Sequence, residues 1–317
     1  MLGRQRVYTL ALALLILFGA QAYGWGNGGH MAVAAVAYDR LKPQTRARVN
    51  SLIQLNPRFQ IWQGMIPNGT PASARPKLLF MIAATWADQI KGDHQHVVDG
   101  SQGGNRPPTD GTADRNTGYT DTAMHKYWHF IDEPFSQDGT QTVEPPVPNA
   151  LTQIDAFRAV LSSNSPDPLK SYDLVWLLHL VGDVYQPLHC AARFGHYQTE
   201  GDDGGNGVNV CDPNCGARLH GFWDELFGSS PNPIPARTIA QSLTAAPAAA
   251  ANDLKTSDWI DEGLALAKSN VYKSPIGLGG GPFHITTTYR NNALALARKR
   301  VALAGARLAN VLNGELK

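Results

Sequence analysis

Excess charge of either sign is what this chain most plainly lacks. It sets 27 Lys and Arg against 26 Asp and Glu, and no basic patch of the kind that grips a nucleic-acid duplex stands out. Cysteine is scarce as well, and three residues exclude a full disulfide framework. Cys211 and Cys215 enclose the turn sequence Asp-Pro-Asn and could pair within one loop in an oxidising compartment. Half of a zinc finger is the rival reading, but no matching partners lie nearby in sequence. Cys190 is then the odd thiol, read as buried and structural. Strand signals are few and short, internal repeats are absent, and no linker splits the chain.

What remains is helical. Helical patterning is expected near residues 29–41, 76–91, 147–162, 170–185, 216–227, 236–249, 257–271 and 285–313. In the last of these, Leu294, Val301, Leu308 and Leu312 form an apolar stripe that reads as core rather than as a membrane or partner surface. The expected fold is therefore mainly α, a single domain with long polar loops. Residues 92–124 are one such loop, dominated by Gly, Asp, Asn, Pro and Thr. His94, His96 and His125 lie in or beside it, where exposure is the expectation.

Met1–Gly24 has the anatomy of a cleaved export signal. Arg4 and Arg6 form its basic start, Leu10–Ala20 its apolar run, and Ala22 and Gly24 supply small residues at the −3 and −1 positions. The apolar run is shorter than the roughly 20 residues of a membrane span. The expected domain is therefore 25–317, secreted or periplasmic, monomeric and without stable membrane association. Removing two arginines and no acid from the full chain leaves one net negative charge.

Chemistry concentrates at residues 176–189, Trp-Leu-Leu-His-Leu-Val-Gly-Asp-Val-Tyr-Gln-Pro-Leu-His. His179 and Asp183 are four apart and share a helix face. Leu174, Val175, Leu178, Leu180, Val181 and Val184 surround them on nearly every side, so this helix is buried. A buried imidazole and carboxylate must pair or coordinate a metal. Pro187 ends the helix, and His189 follows. The same spacing recurs at His220 and Asp224, while Asp88 closes one apolar run and His129 sits between aromatic residues. These are ligand types that zinc takes. Cleavage after Gly24 would expose the Trp25 amine, which chelates together with its own carbonyl. The glycines that follow let His30 fold back onto the same ion.

The ordered set of Trp25 and His30, Trp-Ala-Asp at 86–88, His-Phe-Ile-Asp at 129–132, His-x3-Asp-x5-His at 179–189, Gly-Gly-Asn at 204–206 and His-x3-Asp at 220–224 resembles zinc-dependent single-strand nucleases of the S1/P1 type, relatives of bacterial zinc phospholipases C. The Ala-Gly-x-Arg-Leu-Ala run at 304–309 resembles that family's last helix. The resemblance implies a trinuclear zinc site between helices, with three Zn²⁺ ions. Asp88, His129, His179 and Asp183 would hold the most buried ion, and His189, His220 and Asp224 the second. Trp25 and His30 would hold the third, with Asp183 bridging it to the first.

Three divalent ions against three carboxylates leave three net positive charges, an attraction for phosphate. A hydroxide bridging two zincs is the expected nucleophile, with in-line attack at phosphorus and cleavage of the P–O3′ bond. The implied activity is hydrolysis of single-stranded DNA and RNA to 5′-phosphorylated products, with 3′-nucleotidase activity on 3′-mononucleotides. Lys91, expected one turn beyond Asp88, is either a clamp on a phosphate oxygen or a solvated surface lysine. Phe130 and Asp132 match the family's base-binding residues, by stacking and by hydrogen bonding to a base edge. The structural alternative is a core ring and a helix cap. Asn206 either orients substrate or belongs to the turn Asp-Asp-Gly-Gly-Asn. The runner-up activity is zinc phospholipase C, against which Asp224 stands, because that branch tends to carry Glu there.

Overall fold

A computed structural model describes residues 25–316. The expected export signal at 1–24 lies outside the described residues. Twelve α-helices carry the described chain: α1 (Asn27–Arg40), α2 (Pro43–Ile53), α3 (Phe59–Met65), α4 (Arg75–Ala83), α5 (Trp86–Gln89), α6 (Ala150–Ser162), α7 (Asp167–Asp183), α8 (Leu219–Asp224), α9 (Pro233–Gln241), α10 (Ala248–Ala251), α11 (Thr256–Leu266) and α12 (Thr287–Glu315). Among the described residues, sheet is confined to two scraps. β1 (Pro134–Ser136) pairs in parallel with β2 (Ala192–Phe194). β3 (Asn209–Cys211) lies between antiparallel β4 (Cys215–Arg218) and parallel β5 (Phe283–His284). The mainly α expectation holds, and no described helix is long and apolar enough to cross a membrane.

Helix α7 is the axis. Pro168 in its first turn suits a position whose N–H is orphaned anyway, and from Lys170 to Asp183 every residue is buried. α1, α2, α5, α6 and α12 pack on it. α1 is Ala- and Val-rich and is buried from Gly28 to Ala35. It meets α12 so closely that a β-carbon on Gly305 would lie 2.5 Å from Val36 Cβ, a contact only glycine allows. α6 begins with a capping box between Asn149 and Thr152.

Several boundaries differ from the expectation, each for a local reason. The helix expected over 76–91 breaks at Ala84 and Thr85, where the Thr85 hydroxyl donates to the Ile82 carbonyl and accepts from Gln89. Asp88 and Lys91 thus sit on a separate short turn rather than on one continuous helix. The helix expected over 236–249 stops at Gln241, and Pro247 precedes a single turn of alanines. α2 and α3 were not expected, because arginines and polar residues dilute their apolar positions.

The loop at 92–124 is long and polar, as expected, yet it is tied down. Asn116 donates to both oxygens of Asp173 on α7 at 2.8 and 2.9 Å, and Tyr119 meets Ser171 at 2.7 Å. His94 is exposed, but His96 is half-buried beside Asp93 and His125 is buried, and both depart from the expectation. The His125 ring stacks on Trp128 at 3.5 Å and bridges Asp99 and Asp121, one from each end of the loop, at 3.0 and 2.9 Å. Cys211 and Cys215 form a disulfide. Cys190 is buried, and burial pushes its thiol up to about 12, so this sulfur is inert.

Candidate metal centre

The C-terminal end of α7 delivers His179 and Asp183 into a space closed by α1, α5 and α8 and by the chain around His129 and His189. Asp183 is fully buried and divides its oxygens. Oδ1 lies 3.3 Å from His30 Nε2, whereas Oδ2 lies 3.0 Å from His129 Nδ1 and 3.3 Å from His179 Nε2. His179 Nε2 is 3.6 Å from Asp88 Oδ1. A second group forms alongside, with His220 Nε2 at 3.1 Å from His189 Nε2 and 3.4 Å from Asp224 Oδ2. Two ligands on one tetrahedral zinc lie roughly 3.3 Å apart, so these spacings suit shared ions.

Hydrogen bonds to carbonyls fix the rings. His179 Nδ1 donates to the Ala84 carbonyl at 2.8 Å, which the break between α4 and α5 leaves available. His189 Nδ1 donates to the His129 carbonyl at 2.8 Å, and His220 Nδ1 to the Gly204 carbonyl at 2.7 Å. A carbonyl can only accept. The Nε2 atoms of His189 and His220 therefore carry lone pairs that face each other with no proton between them. Asp183 Oδ1, both nitrogens of His30 and His129 Nε2 are buried without a hydrogen-bond partner. Lone pairs converging this way fit a cation, and orienting carbonyls are the usual outer support of imidazole ligands.

The electrostatics agree. Burial holds the His30, His129, His189 and His220 rings below their ordinary range, His129 and His220 to about 3. These imidazoles are neutral and ready to bind a metal. Burial would raise Asp183 and lower His179, but the two oppose this together. Asp183 and Asp88 hold the His179 ring above its ordinary range. The charge of His179, with hydrogen bonds from His129 and His179, holds Asp183 well below the usual carboxylate range. Asp224 is pushed well up by burial, so an ion arriving there would displace a proton.

The remaining expected residues divide. Lys91 is buried with its Nζ 2.8 Å from Asp88 Oδ1, which removes the solvated-lysine reading. Trp25 is buried, its ring edge-on to Phe227 at 5.4 Å. The glycines after it press this segment against α8, where the Gly26 N–H donates to the Asp224 carbonyl at 2.8 Å. Phe130 and Asp132 are half-buried and line neighbouring clefts with Asn105 and Pro145. Asp132 caps none of the described helices. Burial, aided by Asp203 and Asp202, pushes it up to about 8. The Asn206 amide donates to the Asp203 carbonyl at 2.9 Å within its own turn, as the turn reading expects.

Sequence reasoning missed Gln186, which is buried and donates to Asp224 Oδ1 at 2.9 Å. Its place between Asp183 and His189 was the available signal. Gly182 was missed too: a β-carbon there would lie 2.5 Å from His30 Nδ1. Cys211, Cys215 and His284 also cluster, but their sulfurs are joined as the disulfide.

Five buried imidazoles and three buried carboxylates, gathered between helices, define a class of helical proteins built around a candidate multinuclear metal centre. Within it, the S1/P1 Nuclease family model matches residues 25–317, and the chain belongs to that family. It is 24% identical over 330 aligned positions to Nuclease S1 of Aspergillus oryzae, covering 95% of this chain and 93% of that one. It is 24% identical over 224 positions to Endonuclease 2 of Arabidopsis thaliana, covering 69% of this chain and 61% of that one. The protein is a nuclease, a hydrolase acting on phosphoric ester bonds, in a metal-dependent family whose substrates are nucleic acids.

Proposed function

We propose that the chain hydrolyses single-stranded DNA and RNA to 5′-phosphorylated products, and removes phosphate from 3′-mononucleotides, using three zinc ions. Asp88, His129, His179 and Asp183 would hold one ion, and His189, His220 and Asp224 a second. Trp25, through amine and carbonyl, and His30 would hold the third, with Asp183 shared. The observation that carries this reading is the Asp183 carboxylate, which turns one oxygen to His30 and the other to His129 and His179. When bound, zinc supplies a nucleophile competent near neutral pH and positive charge for the phosphate.

The chain's own residues do the rest. Lys91 stands at Asp88 and can pass one N–H to a phosphate oxygen without leaving it. The Phe130 ring offers a stacking face. Asp132, neutral below about pH 8, offers a base edge both a donor and an acceptor. The balanced charge of the chain suits local capture of a flexible strand rather than a grip on a duplex. The Trp25 amine exists only after cleavage at Gly24, so export to the periplasm or medium, as a monomer, belongs to the same reading.

Protein starting at Trp25 should cleave single-stranded DNA, and chelation or Asp183→Asn should abolish that cleavage. Failure of zinc-loaded protein on single-stranded DNA and RNA would overturn the proposal. Turnover of phosphatidylcholine in that failing preparation would move the activity to phospholipids.

A further inference from the structure

The turn Asp202–Gly205 is fastened by one buried carboxylate that belongs to neither ligand group. Asp202 Oδ1 accepts from the Arg193 N–H at 2.9 Å and from the Gly205 N–H at 3.2 Å, and Oδ2 accepts from the Tyr272 hydroxyl at 2.7 Å. Its own carbonyl accepts from the Gly207 N–H at 2.8 Å. Asp202 is 1% exposed. These donors come from β2, from the turn itself and from the segment after α11, so the carboxylate locks three stretches of chain together. The turn needs the lock, because Gly204 and Gly205 both have positive φ, at 58° and 83°, and glycine alone gives no conformational preference.

The locked turn presents the Gly204 carbonyl to His220 Nδ1 at 2.7 Å. It also lies flat against its neighbours, since a β-carbon on Gly204 would sit 2.6 Å from the Leu188 carbonyl and 3.2 Å from His220 Nδ1. That hydrogen bond decides which His220 nitrogen keeps its proton, and so which one faces His189 and Asp224. We infer that Asp202 is a positioning residue for the His189–His220–Asp224 metal site, holding His220 in the ligating tautomer and rotamer through the Gly204 carbonyl. The inference rests on the reading that these three residues hold a metal. The hydrogen bonds of the Asp202 carboxylate go to Arg193, Gly205 and Tyr272, and none goes to a ligand side chain. Its effect runs through one carbonyl.

The test loads the processed protein with Co²⁺ and reads bound equivalents and ligand-field absorption alongside nuclease turnover. Asp202→Ala should weaken one equivalent by about 10- to 100-fold, the usual cost of losing an outer support, and remove one component of the cobalt spectrum. The other equivalents should keep their affinity. Tyr272→Phe strips only the hydroxyl that holds Oδ2 and keeps the ring in place. It should give the same selective weakening, several-fold in size, and it carries the test if the alanine variant does not fold. Folded variants with unchanged cobalt affinity and spectrum would overturn the inference. His220→Ala separates the two readings. If it too leaves the stoichiometry intact, the metal reading itself falls. If it removes one equivalent while Asp202→Ala and Tyr272→Phe leave that equivalent's affinity and spectrum unchanged, only the role of Asp202 falls.

Discussion

Helix α7 buries two aspartates ten residues apart, and they behave in opposite ways. Asp173 and Asp183 are both fully shielded from water. Asp173 meets the amide of Asn116, and burial pushes its carboxyl up to about 8. Asp183 meets His30, His129 and His179 and is held well below the usual range despite its burial. Desolvation raises both, and the neighbours decide whether the carboxyl keeps its proton or loses it. At one end of the helix a neutral acid pins a loop. At the other a charged carboxylate sits among the imidazoles of the candidate metal centre.

The largest effect should come from removing the charge at the second position. Asp183→Asn should lower nuclease turnover by well over the roughly 100-fold seen for outer-support changes and reduce bound zinc, measured by metal analysis of the purified protein. Full zinc content in a folded Asp183→Asn variant would contradict the assignment. Lys91→Met should come next, with turnover reduced about 100-fold, the scale of one lost electrostatic contact to the reacting phosphate. Its zinc content should stay unchanged, and a loss of zinc instead would make Lys91 a support for Asp88. Asp173→Asn should do least at pH 7, because that carboxyl already holds a proton. Urea unfolding should place it within about 1 kcal/mol of the parent, with turnover unaltered.

The two aspartates also have opposite pH signatures in the metal-free protein. Asp173 keeps its proton when folded up to about 8 but releases it near its ordinary value of about 4 when unfolded. Its contribution makes stability fall as pH rises between those values. Asp183 has a depressed folded value, so its contribution is complete above about pH 4 and is lost as pH falls below that. Urea midpoints measured at about pH 5 and about pH 8 should show a smaller decline for Asp173→Asn than for the parent. An unchanged decline would mean that Asp173 is ionised in the fold.

Legibility in the sequence followed residue type and period. The buried α7, the paired His-x3-Asp turns and the mainly α fold announce themselves because side chains carry those signals. The carbonyls that orient the rings do not, since it is the backbone of Ala84, His129 and Gly204 that accepts those hydrogen bonds. The break that frees Ala84 depends on Thr85 bonding within its own turn. His125 reads as a loop histidine and becomes buried because Asp99 and Asp121, far apart along the loop, close on it from both sides. α2 had its period in Thr45, Val49, Leu52 and Ile53, obscured by Arg46 and Arg48.

The contact between Gly305 and Val36 has a consequence for the order of synthesis. α1 carries His30, among the first ligands to leave the ribosome, yet it packs against α12, which is completed last. A chain interrupted before residue 305 seats α1 on α4, α7 and α9 and leaves its α12 face uncovered. His30 would then be held against Asp183 by an incompletely packed helix, so on the proposed metal reading the site should tighten only once α12 has docked.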